Sequence, residues 1–98
     1  MAASAPTAIL LVSCPDQRGI VAALSSFITR NDGNIIALDQ YVDVEEGAFF
    51  ARMEWELAGF AVPLDQFAAR FAAVAEPLRI QWTLHRSDHR LRMAVLVS

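Results

Sequence analysis

Thr7-Ala8-Ile9-Leu10-Leu11-Val12-Ser13 is an almost unbroken aliphatic run, and Cys14-Pro15-Asp16-Gln17-Arg18-Gly19 follows it as a polar turn. The run is short for a helix and reads as a central strand buried on both faces. After the turn the period changes. Ile20, Leu24 and Phe27 fall on one helical face together with Val21 and Ile28, the spacing of an amphipathic helix. Asp16 stands where an N-cap is wanted, placed to accept from the amides of Arg18 and Gly19. Asn31-Asp32-Gly33-Asn34 supplies a residue tolerant of positive φ just past the helix end.

A second strand follows over Ile35 to Val42, with mixed faces because Asp39 and Gln40 interrupt both alternations. Asp43 to Gly47 has the length of a hairpin loop. Phe49, Ala51, Met53, Trp55 and Leu57 then alternate with Arg52, Glu54 and Glu56, which predicts a strand with one buried and one wet face. Ala58 to Val62 connects to a second helix that starts on Pro63 as its first residue. Leu64, Phe67, Ala68, Phe71 and Ala75 form its apolar stripe, Asp65 suits its positive end, and Pro77 is expected to stop it at Glu76. Ile80, Trp82 and Leu84 alternate with Gln81, Thr83 and His85 as a fourth strand. The order β-α-β-β-α-β specifies an α+β, ferredoxin-like sandwich: a four-stranded antiparallel sheet with two helices on one face. Residues 1–6 read as a loose arm, 7–86 as the sandwich and 87–91 as a linker. Residues 92–98, carrying the aliphatic run Met93 to Val97, are expected to begin a further domain.

Ninety-eight residues make one domain, large enough to bury about two-thirds of its unfolded surface. Hydrophobic residues at 55% and charged residues at 19% exclude disorder. No apolar run approaches the ~20 residues of a membrane span. Met1 to Pro6 lacks Lys and Arg ahead of the short run Ala8 to Val12, so no export signal is read. The single cysteine, Cys14, suits a reducing, cytoplasmic setting. The net charge is −3, and all eight basic residues are Arg, scattered from Arg18 to Arg92. A nucleic-acid partner needs a basic stripe, and none is present.

The residues offer little catalytic chemistry. Cys14, at a strand end close to a helix start, is placed for a modestly depressed pKa. Both histidines lie far downstream, however, and the plainer reading is a small buried side chain. His85, Asp88 and His89 are ligand-type residues in a polar linker rather than on a rigid frame. Glu54 and Glu56 share a strand face as solvated charge, without the cleft a paired-carboxylate hydrolase needs. No catalytic residue, metal site or cofactor is assigned. Binding is better supported. The turn at Asp16, Gln17, Arg18, Gly19 and Ile20 presents free amides at a helix start, with Arg18 as a bidentate donor, a place for a carboxylate. Asn34 and Ile35, expected from a neighbouring subunit, would complete the site, the Asn34 side chain meeting an α-amino group. The mixed-faced second strand is the expected sheet edge, through which copies of the chain would pair.

The same residues carry a resemblance. Cys14-Pro15-Asp16-Gln17-Arg18-Gly19-Ile20-Val21, with Gly33-Asn34-Ile35 after it, resembles the opening of an ACT domain, a small ferredoxin-like regulatory module. The stretch Gly33 to Asp43, with Glu45-Glu46-Gly47-Ala48-Phe49-Phe50 and Arg52-Met53-Glu54, is similar to the N-terminal domain of formyltetrahydrofolate deformylases. The resemblance spans Ala8 to Ser98, and the run from Met93 matches the first strand of that family's formyltransferase-like catalytic domain. Hydrolysis of 10-formyltetrahydrofolate to formate and tetrahydrofolate, supplying purine biosynthesis, is the activity it implies. The catalytic Asn, His and Asp of such an enzyme would lie beyond Ser98. It further implies regulation by a small amino acid, glycine or methionine, and a homo-oligomer built on ACT–ACT contacts. Arg18 departs from the family by standing where proline is common. A free-standing ACT regulator acting through a protein partner is the second reading.

Overall fold

The computed structural model of the chain describes residues 6–88 and 92–95. Its elements are β1 (Thr7–Pro15), α1 (Ile20–Arg30), β2 (Asn34–Asp43), β3 (Ala48–Glu56), α2 (Leu64–Leu78), β4 (Gln81–Arg86) and β5 (Arg92–Val95). Every strand pairing is antiparallel, and the sheet order is β2-β3-β1-β4-β5. The aliphatic β1 is central, as its composition requires, and β2 is an edge. Burial on both faces of β1 does not hold. Ala8, Leu10, Val12 and Cys14 are buried, whereas Ile9, Leu11 and Ser13 are only partly covered, because the helices pack against one face. The expected four strands gain a fifth: Arg92–Val95 pairs with the open edge of β4, from His85 opposite Arg92 to Trp82 opposite Val95. An unpaired edge is a ready template for such an addition.

The helices are held by aromatic packing. Phe67 of α2 stacks on Trp55 of β3 at 5.9 Å and meets Phe27 of α1 and Trp82 of β4 edge-on, at 5.7 and 5.3 Å. Phe71 stacks on Phe67 at 5.1 Å and presents an edge contact to Trp82. Each such side chain, fully buried, contributes about 1.5–3 kcal/mol. Ile20, Leu24 and Ile28 complete the α1 stripe.

Helix ends depart from the sequence expectation in instructive ways. Asp16 does not cap α1. Gly19 takes the N-cap position at φ 84° and accepts the Ala23 amide at 2.9 Å. That left-handed step turns the chain, so the helix starts at Ile20. At the other end Asp32, at φ 67°, donates to the Thr29 carbonyl, and Gly33 to that of Ile28, closing the last turn. Pro63 is the N-cap of α2 in extended geometry rather than its first residue, so the helix starts one residue later than expected, and α2 runs past Pro77 to Leu78. The proline sits in the final turn, where the chain closes through Arg79 donating to Glu76 and Ile80 to Ala75.

Candidate functional site

The loop from β1 to α1 is pinned from three directions. The Asp16 amide donates to the Gly47 carbonyl at 2.8 Å, tying the loop to the β2–β3 turn. The Gln17 side-chain amide donates to the Pro15 carbonyl at 3.0 Å and to that of Leu78 at 2.8 Å, tying it to the end of α2. The loop and the first turn of α1 form one wall of an open cavity of about 480 Å³, lined by Asp16, Gln17, Gly19 and Ile20. The opposite wall is Gln40, Tyr41 and Val42 of β2, with Phe49 of β3. Because Ala23 is the first amide bonded to Gly19, those of Ile20, Val21 and Ala22 precede the helical ladder. Open amides at a positive helix end suit a carboxylate.

Arg18 is exposed beside this cavity and makes no hydrogen bond or ion pair among the described residues. Gln17 has committed both amide hydrogens to the backbone, leaving only its carbonyl oxygen for a ligand. Asn34 and Ile35 are not brought to this cavity within one chain. They open β2, about 20 Å from Gln40 by strand rise. Asn34 instead donates to the Glu56 carboxylate at 3.1 Å, and Ile35 is partly buried against the core. Sequence reasoning missed Gln40, Tyr41, Val42 and Phe49 as the facing wall. The available signal was Gln40, a polar residue opposite Ala51 and so on the helix side of the sheet.

The other chemistry-bearing residues are accounted for structurally. Cys14 is buried, and burial, aided by the Asp16 carboxylate, pushes its thiol up, with the neighbouring Gln17 side chain offsetting part of the rise. The depressed pKa expected from the helix start is therefore reversed. Glu54 is not simply solvated: it accepts from the Thr7 hydroxyl at 2.6 Å and from Arg52 at 3.2 Å. His85 pairs with the Thr83 hydroxyl at 3.3 Å, and Asp88 receives Arg86 through two 3.0 Å bonds. His89 lies outside the described residues. Among the described residues no cluster of His, Cys, Asp and Glu is placed to hold a metal ion.

Comparison with known proteins agrees with this fold. Residues 8–76 match the ACT domain family. The chain is 46% identical over 92 residues to the formyltetrahydrofolate deformylase of Synechocystis sp., covering 94% of this chain and 32% of that protein. It is 44% identical over 90 residues to the Bacillus subtilis deformylase, covering 91% of this chain and 30% of that one. The crystal structure of a formyltetrahydrofolate deformylase from Pseudomonas syringae pv. tomato superposes with a TM-score of 0.83 at 31% identity, over 88% of this chain and 29% of that one. The chain thus spans about a third of the length of the curated relatives it matches. On this fold, this loop and these matches, the chain belongs to the ACT domain family.

Proposed function

We propose that the chain is the amino-acid-binding regulatory segment of a cytoplasmic formyltetrahydrofolate deformylase. The remainder of the parent protein would hydrolyse 10-formyltetrahydrofolate to formate and tetrahydrofolate for purine biosynthesis. The observation that carries this reading is the 46% identity to a deformylase across nearly the whole chain. Among the described residues no helix is long and apolar enough to cross a membrane.

Glycine or methionine would bind at the α1 start, its carboxylate on the open amides and Arg18. Pairing of two β2 edges would supply the second half of the site. In an antiparallel, two-fold arrangement the first residue of one β2 lies beside the last residues of the other. Asn34 of a second copy would then reach the Gln40–Val42 wall and meet the ligand's amino group. The test is formate release from 10-formyltetrahydrofolate by the full-length protein, with glycine and methionine titrated. Hydrolysis that either amino acid alters supports the reading; absence of hydrolysis overturns it, and hydrolysis indifferent to both overturns the regulatory part.

A further inference from the structure

We propose that the sheet face turned away from the helices is the docking surface for the rest of the parent chain, in a groove centred on Phe50. The proposal rests on the deformylase reading, in which such a remainder exists. This face is divided along its strands. Toward Asn34 it is polar and internally paired, with Glu54 held by Thr7 and Arg52 and Glu56 by Asn34. Toward the β2–β3 turn it is apolar and open. Leu11 is 41% exposed, Phe50 42% and Tyr41 63%, and the Tyr41 and Phe50 rings lie 6.2 Å apart across the β2–β3 pair.

Two shallow cavities meet there. One, of about 330 Å³, runs from Tyr41 over Phe50 to Leu11; the other, of about 360 Å³, runs from Leu11 and Phe50 to Gln81 and Thr83. Together they make a groove crossing the sheet from β2 to β4. A localised apolar groove rimmed by polar residues marks an interaction surface. Among the described residues its one cation, Arg52, is already engaged by Asp39 and Glu54, which disfavours a small anionic occupant.

The path of the chain identifies the occupant. β5 runs antiparallel to β4 from Arg92 opposite His85 to Val95 opposite Trp82, so the backbone travels toward the Gln81 end, the apolar end of the groove. The matched deformylases are about three times as long as this segment; in the deformylase reading, chain that continues in the direction of β5 would set out beside this surface. Gln40 and Tyr41 line both the groove and the amino-acid cavity. The docked remainder would share a wall with the regulatory ligand, which gives the ligand a direct route to it.

The test uses the full-length protein carrying Phe50→Cys, Tyr41→Cys or, as reference, Val44→Cys, a position 85% exposed in the β2–β3 turn. Thiol labelling is followed at each site, and buried Cys14 remaining unlabelled reports that each variant is folded. Docking predicts that the cysteines at 50 and 41 label about tenfold more slowly than that at 44, at every protein concentration. Equal rates overturn the proposal, as does protection that vanishes on dilution to monomer, which would make a second copy the occupant. Formate release is scored separately. An active enzyme with unprotected Phe50→Cys sinks docking alone, whereas protection without formate release keeps docking and overturns the deformylase reading.

Discussion

The amide of Gly33 donates to the Ile28 carbonyl at 2.9 Å, and Ile28 closes over Gly33 so tightly that a β-carbon there would stand 2.5 Å from its Cγ2. Phe60 blocks a second direction at 3.0 Å. The glycine is needed for space, since the left-handed residue of this turn is Asp32. Gly33→Ala is expected to destabilise the fold by about 1–3 kcal/mol, the usual cost of overpacking. Urea denaturation checks it; an unchanged midpoint would refute the account.

Arg79 presents the opposite case. It closes α2 at φ 59°, a conformation that glycine adopts without strain. Arg79→Gly should raise stability by about 0.5–1 kcal/mol despite the added freedom of the unfolded chain. Thermal unfolding of the two proteins measures the sign, and a lower midpoint for the variant would show that the Arg79 side chain contributes more than its backbone strain.

The architecture was legible because period and punctuation agreed. The clean alternation from Phe49 to Glu56 and the stripe Phe67, Phe71, Ala75 both survive in the structure. What the sequence hid depends on neighbours or on a single dihedral. Asp16 carries the right chemistry for a cap, but Gly19 at positive φ moves the helix start beyond its reach. Asn34 and the Asp16 turn are joined in sequence by one helix, yet β2 carries the other half of the cavity wall to its far end. No local pattern announces Tyr41 and Phe50 as neighbours, because only the β2–β3 register brings them together.

Cys14 gives a pH prediction. Its thiol is pushed up by burial, so the folded pKa exceeds the unfolded one. The associated stability is complete below the unfolded pKa and is lost as pH rises through the folded value. Wild type should therefore lose stability through the alkaline range relative to Cys14→Ala, whose difference from wild type should narrow there. Denaturation midpoints for both proteins across that range provide the check, and parallel curves would contradict the raised pKa.

The edge strand β2 should mediate self-association. Its register slips between Ile35 and Ala37, leaving Ile36 half exposed, and Leu38 and Val42 also remain partly open. A lysine on an edge strand is an effective block to pairing. Ile36→Lys is expected to shift the protein from dimer to monomer in sedimentation at a concentration where wild type is paired. A wild type that stays monomeric at high concentration would refute pairing itself.

Asn34 tests whether that pairing builds the ligand site. Among the described residues of its own chain its one side-chain bond is to Glu56, on the exposed surface, so losing it should cost the fold little. Across paired β2 edges the same amide would face the ligand's amino group, where an unmet partner costs about 1–3 kcal/mol. Asn34→Ala should thus weaken glycine or methionine binding by about five- to a hundred-and-fiftyfold while leaving the unfolding midpoint nearly unchanged. Ile36→Lys, which keeps Asn34 but separates the copies, should weaken binding comparably. Calorimetric titration of wild type and both variants distinguishes the cases. If Asn34→Ala binds like wild type, the site does not extend across the β2 edge. If it binds weakly while Ile36→Lys monomers bind fully, Asn34 acts from within its own chain, which the 10-residue length of β2 makes geometrically untenable for the α1 cavity, and the ligand must sit elsewhere.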